Sequence, residues 1–121
     1  MGKKVLIVDD EPGVVKMVRF LLEKNSFGVV SATEGEEGVK LAAQEKPDLI
    51  LMDIMMPSID GNEATRRLKD NEITRNIPII MLSALGQEGD VAKSLELGAI
   101  DYIVKPFHPQ ELLERVKKIL G

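Results

Sequence analysis

The stretch Val5–Asp10, with the sequence VLIVDD, runs from four apolar residues into two aspartates. Leu49–Asp53, with the sequence LILMD, repeats this pattern with a single aspartate. Short continuous apolar runs are typical of strands that are buried on both faces of a parallel sheet. Ligands of an open α/β sheet bind outside the carboxyl ends of its strands, so aspartates that directly follow two strands should lie close together. Such a group of carboxylates predicts a site for a divalent cation.

Three further apolar runs extend the predicted sheet. Ile77–Leu82 leads to Ser83, Asp101–Val104 leads to Lys105, and a shorter run covers Val29–Ala32. A hydroxyl and an ammonium group therefore join the carboxylates at the same edge. Segments with helical spacing separate the runs, and this alternation predicts an α/β fold with parallel strands joined by right-handed crossovers.

Five helices are predicted between and after these strands, over about residues 12–25, 35–45, 60–70, 88–97 and 109–120. In the third helix, Lys69 should face water together with the two arginines that precede it. In the fourth helix, the spacing predicts that Val91 and Leu95 face the core, with Gly98 ending the helix. The first helix has an unusually wide apolar sector, and an exposed Phe20 there would suit a docking surface for a partner protein.

Length and composition restrict the class of protein. A chain of 121 residues with 44% hydrophobic content fits one globular domain over residues 1–121, with no output domain. The net charge of −4 and the 3% aromatic content argue against direct nucleic-acid binding. Zero cysteines fit a reducing compartment, and the N-terminus lacks the features of a signal peptide, so we expect a cytoplasmic protein with no membrane attachment.

Four motifs resemble, in order and along the whole chain, the receiver domain of bacterial two-component response regulators, in particular the single-domain, chemotaxis-type regulators. The motifs are VDDEP at 8–12, MDIMMP at 52–57 followed by Asp60-Gly61, LSA at 82–84, and KPF at 105–107. This resemblance implies a flavodoxin-like (βα)5 doubly wound sandwich. Its five-stranded parallel sheet should have the strand order 2-1-3-4-5.

The resemblance also implies a function. Asp53 would accept a phosphoryl group from a sensor histidine kinase or a histidine phosphotransfer protein. Asp10 would bind Mg²⁺ directly, Asp9 largely through water, and Met55 through its backbone carbonyl, with Mn²⁺ as a substitute for Mg²⁺. Lys105 would supply counter-charge for the transferred group. These roles agree with the preference of Mg²⁺ for hard oxygen ligands and with the charge that develops in phosphoryl transfer.

Family behaviour further implies a conformational switch. Ser83 would move toward the phosphoryl group, and the ring of Tyr102 would turn inward into the space that is vacated. The output face would comprise the fourth helix, fifth strand and fifth helix, and it would contact a downstream protein target or form a transient homodimer. Lys105-Pro106 corresponds to a cis peptide of the family. Asp53 would assist its own phosphorylation and dephosphorylation, so the protein would not be a turnover enzyme.

Single residues of these motifs also have simpler structural explanations, because aspartates before a helix cap its amides and His108 lies beside a helix start. The whole set also has to be compared with alternative functions. A turnover phosphatase or phosphotransferase of the haloacid dehalogenase type would need a second aspartate where Met55 stands. A nucleotide-binding flavodoxin-like module would need glycines in the first loop. A pseudo-receiver, acting as a phosphorylation-independent protein-interaction module, should lack one of Asp10, Asp53 and Lys105. This last class is the main alternative.

Overall fold

Five strands alternate with five helices along residues 2–121, the part of the chain that the computed structural model describes. The strands are β1 (Lys4–Val8), β2 (Gly28–Ala32), β3 (Leu49–Asp53), β4 (Ile79–Ser83) and β5 (Asp101–Val104). The helices are α1 (Pro12–Lys24), α2 (Gly35–Glu45), α3 (Gly61–Lys69), α4 (Glu88–Glu96) and α5 (Pro109–Leu120). All neighbouring strands pair in parallel, in the order β2-β1-β3-β4-β5, which confirms the predicted fold and strand order.

The apolar runs form the sheet because each strand is covered on both faces, and side chains alternate between the faces. One face, which includes Leu6, Ile50 and Met81, packs under α2, α3 and α4. The other face, which includes Ile7, Leu51 and Leu82, packs under α1 and α5. Burial of each such leucine or isoleucine contributes about 2 kcal/mol. This two-sided core leaves the strand ends, rather than the faces of the sheet, free for a functional site.

The observed boundaries agree with the predicted ones to within two residues. The largest difference is at β4, which begins at Ile79 rather than at Ile77. Pro78 has no N–H to donate to a neighbouring strand, although its carbonyl still accepts from the N–H of Ile50 at 3.0 Å. The N–H of Ile77 donates instead to the carbonyl of Thr74, also at 3.0 Å, so it belongs to the preceding turn.

Two expectations about side-chain direction are wrong. Leu95 does not face the core: its exposed fraction is 44%, and Ser94 is the buried residue of α4. Lys69 does not face water: its side chain is half-buried, and its ammonium donates to the carbonyls of Arg75 and Ile77, each at 3.0 Å. In both cases a polar group is buried because it finds a hydrogen-bond partner.

His108 has the structural role that a histidine beside a helix start suggests. It is the N-cap of α5, and its Nδ1 accepts a hydrogen bond from the N–H of Gln110 at 3.2 Å. Within residues 2–121, no helix combines the length and the apolar character needed to cross a membrane.

Candidate functional site

The strand register brings the predicted acidic residues together. Val8 of β1 pairs with Met52 of β3, so Asp9, directly after β1, and Asp53, the last residue of β3, lie side by side at the end of the sheet. Carboxylate oxygens of Asp9, Asp10 and Asp53 lie within 4.8 Å of one another. Asp9 and Asp53 are buried, whereas Asp10 is exposed. The three carboxylates form one cluster that opens to solvent on the Asp10 side.

Lys105 reaches this cluster from the end of β5. Its N–H donates to the carbonyl of Ser83 at 2.7 Å, and the Lys105-Pro106 peptide bond is cis. The ammonium Nζ lies 2.8 Å from Asp9 Oδ2 and 3.6 Å from Asp53 Oδ1. A single cation thus stands beside the two buried carboxylates, at the position that the sequence predicted for it.

Glu11 is a member of the site that the sequence analysis did not single out. Its Oε1 lies 2.8 Å from Nζ of Lys105, and its backbone N–H donates to Asp9 Oδ1 at 2.9 Å. Glu11 therefore shares Lys105 with Asp9 and holds the Asp9 carboxylate in place. The available signal was Asp9 itself. An aspartate side chain commonly accepts a hydrogen bond from the backbone N–H two residues further on, and that residue is the acidic Glu11.

The charges of the cluster shift two pKa values. Burial, followed by the charge of Asp9, raises the pKa of Asp53 to about 6, although Lys105 and the N–H of Met55 act in the opposite direction. Burial alone would lower the pKa of Lys105, but its hydrogen bonds to Asp9 and Glu11 outweigh this effect and raise it. Asp53 is therefore held in surroundings that disfavour its negative charge, while Lys105 stays positive.

This donor set fits a hard divalent cation. The cluster offers carboxylate oxygens, two of its three members are buried, and the ammonium of Lys105 is shared between Asp9, Asp53 and Glu11. A divalent ion would supply the missing positive charge. Met55 adjoins the cluster, because its N–H donates to Asp53 Oδ1 at 3.3 Å, and its side chain is exposed.

Ser83 and Tyr102 meet at the loop that follows β4. Ser83 is buried, and its Oγ accepts from the N–H of Leu85 at 3.0 Å. The Tyr102 hydroxyl donates to the carbonyl of the same Leu85, and its ring is buried. Burial raises the pKa of Tyr102, so the phenol remains a donor. In this structure the ring of Tyr102 thus lies inward, and its hydroxyl is held by the backbone of the β4–α4 loop.

Comparison with known proteins agrees with this geometry. Residues 5–117 match the family model of the response regulator receiver domain. The alkaline phosphatase synthesis transcriptional regulatory protein PhoP of Bacillus subtilis is 46% identical over 120 residues, which are 99% of this chain and 49% of PhoP. The chain thus spans about half the length of the curated relatives it matches.

Two of the similar solved structures align with this chain over nearly its whole length and nearly their own. The BeF3-activated N-terminal receiver domain of RstA from Klebsiella pneumoniae is 37% identical, has a TM-score of 0.89, and is covered over 97% of its length and 97% of this chain. The chemotaxis protein CheY4 of Vibrio cholerae is 28% identical with a TM-score of 0.93, over 99% of its length and 98% of this chain. By sequence and by fold, the chain belongs to the family of response regulator receiver domains, the phosphoacceptors of two-component signalling.

Proposed function

We propose that Asp53 is the residue of this receiver domain that accepts the phosphoryl group. The observation that carries the proposal is the position of its carboxylate: it is 3% exposed, ends the central strand β3, and lies 3.6 Å from the ammonium of Lys105. Asp9 is more deeply buried and is hydrogen-bonded to Lys105. Within residues 2–121, the N–H of Met55 is the one group that donates to Asp53, so Asp53 is the carboxylate that is more available to a donor.

Asp9, Asp10, Asp53 and the backbone carbonyl of Met55 would hold Mg²⁺, for which Mn²⁺ would substitute. The metal, when bound, supplies positive charge that favours the ionised carboxylate of Asp53 and neutralises phosphoryl oxygens. Lys105 would supply a second counter-charge from its position beside Asp9 and Asp53. Glu11 and Asp9 keep its ammonium charged and in place, which the raised pKa of Lys105 supports.

Ser83 and Tyr102 would report the phosphorylation state. The Oγ of Ser83 accepts from Leu85, so its own hydrogen is available to a phosphoryl oxygen on Asp53. Movement of Ser83 would pull on the Leu85 backbone, which also accepts from Tyr102. Since Asp53 keeps the group it receives until water removes it, the protein would act as a stoichiometric phosphoacceptor rather than a turnover enzyme. A single domain and a cytoplasmic location both remain predictions.

The phosphodonor would be a sensor histidine kinase or a histidine phosphotransfer protein that docks on α1. Phe20, on this helix, is 70% exposed, the largest exposed fraction among the large apolar side chains of residues 2–121. An apolar groove lined by Val14, Met17 and Phe107 lies next to Lys105. Phe20→Ala should slow transfer from the donor protein and leave phosphorylation by acetyl phosphate unchanged. Equal transfer rates from the protein donor would contradict this docking surface.

The output face would consist of α4, β5 and α5. It exposes the apolar side chains Leu95, Ile100 and Val104, beside an ion pair of 2.6 Å between Arg115 and Asp101. Apolar residues beside paired charges suit a downstream protein target or a transient homodimer. The net charge of −4 of the 121-residue chain argues against direct contact of the receiver domain with nucleic acid. Sedimentation velocity with and without BeF3 would test the homodimer, and a mass that stays monomeric with BeF3 would favour a separate target.

The test of Asp53 is the intact mass after incubation with acetyl phosphate, with and without Mg²⁺. The wild-type chain and Asp70→Asn should each gain one phosphoryl group in a reaction that needs Mg²⁺, whereas Asp53→Asn should gain none. Asp70 is a matched control, because it is exposed and pairs with Arg66 at 3.1 Å, outside the cluster. Absence of any gain by the folded wild-type chain would favour the pseudo-receiver alternative.

A further inference from the structure

The loop between β3 and α3, residues 54–60, carries Met55, and both ends of the loop are fixed. The N–H of Ile54 donates to the carbonyl of Leu82 at 3.3 Å. Its carbonyl accepts from the N–H groups of Met56 at 3.1 Å and Gly61 at 2.8 Å. Gly61 lies so close to the backbone of Asp53 that a Cβ at this position would collide with it. These contacts set where the loop begins and ends.

The middle of the loop needs a separate anchor. Met55, Pro57 and Ser58 are exposed, whereas Met56 and Ile59 are half-buried and pack against the core under α2 and α3. Ser58 has a φ of +73°, in the left-handed region that a serine seldom adopts. Such a conformation costs about 1 kcal/mol or more and persists where neighbouring contacts impose it. Met56 and Ile59 are the loop residues that make such contacts, and Ile59 directly follows Ser58.

Ile59 fits into a notch at the start of α2 that exists because residue 35 is a glycine. A Cβ on Gly35 would lie 2.6 Å from Cγ1 of Ile59 and 2.9 Å from its carbonyl oxygen. Both distances are shorter than a van der Waals contact allows, and the second involves the backbone of the loop. Gly35 is buried and is the first residue of α2. The notch thus fixes the backbone of the loop as well as its side chain.

We infer that Ile59 and Gly35 are positioning residues for the metal site. Their side chains offer no metal ligand, but they fix the loop that presents the carbonyl of Met55. This inference rests on the proposed function, in which that carbonyl is a metal ligand. A backbone shift at Ile59 cannot be absorbed at Ile54 or Gly61, which are hydrogen-bonded to each other, so it moves the residues between them. The expected consequence is weaker Mg²⁺ binding by a chain that remains folded.

The test measures the Mg²⁺ dissociation constant by isothermal titration calorimetry with MgCl2. Gly35→Ala should raise it about tenfold, as is typical when a group that orients a metal ligand is lost. Gly89→Ala is the matched control, because Gly89 also lies in the first turn of a helix and a Cβ there would meet nothing within 4 Å. Both substitutions share the helix-propensity gain of alanine, so the difference between them isolates the notch.

Ile59→Ala provides a second variant that adds no atoms. It should also weaken Mg²⁺ binding, and amides of residues 55–60 should exchange faster with solvent in the absence of metal, while urea unfolding shows that the chain is folded. If the wild-type chain binds Mg²⁺ and both variants bind it with the same constant, the inference is wrong and the proposed function stands. If the wild-type chain does not bind Mg²⁺, the proposed metal site and this inference both fail.

Discussion

Helices α2 and α4 lie on either side of α3 on the same face of the sheet, yet different kinds of contact hold them in place. The buried residues of α2 are Gly35, Gly38 and Ala42, all small, and a Cβ on Gly38 would lie 2.7 Å from Cγ2 of Val8. In α4 the buried residue is Ser94, whose Oγ donates to Asn62 Oδ1 of α3 at 2.8 Å. One helix is held by close packing, and the other is held to α3 by a polar contact.

The same difference divides the functional site. The packed half, which we define as residues 4–10, α2 and residues 53–61, holds the carboxylates in a fixed frame. The hydrogen-bonded half, which we define as the β4–α4 loop and α4, depends on Ser83 and Tyr102, which bind the backbone of Leu85. Close packing has one best arrangement, whereas a hydrogen bond can exchange its partner at low cost. Under the proposed function, the metal site would lie in the first half and the switch in the second.

The largest expected effect compares one Gly→Ala substitution in each half. In Gly61→Ala, the new Cβ would lie 2.8 Å from Ile54 Cα and 2.9 Å from the carbonyl carbon of Asp53, so the backbone must move. We expect a loss of about 2–3 kcal/mol of unfolding free energy. In Gly86→Ala, the nearest atom is Cγ1 of Val104 at 3.2 Å, a side-chain end that can shift. Here we expect a change below about 0.5 kcal/mol.

Urea unfolding of the two variants beside the wild-type chain would make this measurement. Equal losses would show that the two halves resist a new methyl group equally. That result would remove the distinction between them.

A smaller effect concerns the negative charge of Asp53, which is buried in the packed half. The pKa of Asp53 is about 6 in the folded chain, against an ordinary value of 3.8. A carboxyl with a raised folded pKa binds its proton more tightly in the native state, so native stability falls as the pH rises from about 4 to about 6. Asp53→Asn removes this charge. It should therefore stabilise the metal-free protein by about 1–2 kcal/mol near pH 7.5, and by little below pH 4.

The measurement is urea unfolding in EDTA at several pH values, with Asp70→Asn as the exposed control. Asp70→Asn should follow the wild-type pH dependence between pH 4 and pH 7.5. If Asp53→Asn shows the same difference from the wild-type chain at both ends of this range, the charge of Asp53 is not confined by the packed half.

The sequence predicted the packed half well, for a physical reason. Apolar runs mark buried strands, strand ends of a parallel sheet lie at one edge, and so Asp9, Asp53 and Lys105 could be placed together before any contact was known. Gly35 and Gly38 lie in a segment that was predicted to be helical, and the helix forms there. Their close contacts with Ile59 and Val8 depend on residues that are distant in the chain, so spacing within α2 could not indicate them.

The hydrogen-bonded half was predicted less well, because its residues depend on polar partners. Apolar spacing favoured Leu95 as a core residue of α4, but Asn62 gives Ser94 a partner and allows it to be buried instead. Two residues outside this half, Lys69 and Glu11, were missed for the same reason. The partners of Lys69 are backbone carbonyls, and the partner of Glu11 is Lys105. A hydrophobicity pattern measures the cost of burying a polar group and does not contain the partner that offsets it.

The smallest expected effect tests how firmly α4 is held to α3. Ser94→Ala removes one hydrogen bond, and because Asn62 is half-buried it can turn to water, so the global loss should be about 1 kcal/mol or less. The effect on local opening of α4 should be clearer than the effect on global stability. Amides of α4 exchange through this local opening, so their hydrogen exchange should become faster, whereas the exchange rates of α2 amides should not change. Hydrogen exchange of both helices in one sample makes the comparison internal. Faster exchange in α2 as well would mean that the two helices open as one unit, in which case the fixed frame and the switch are not separable.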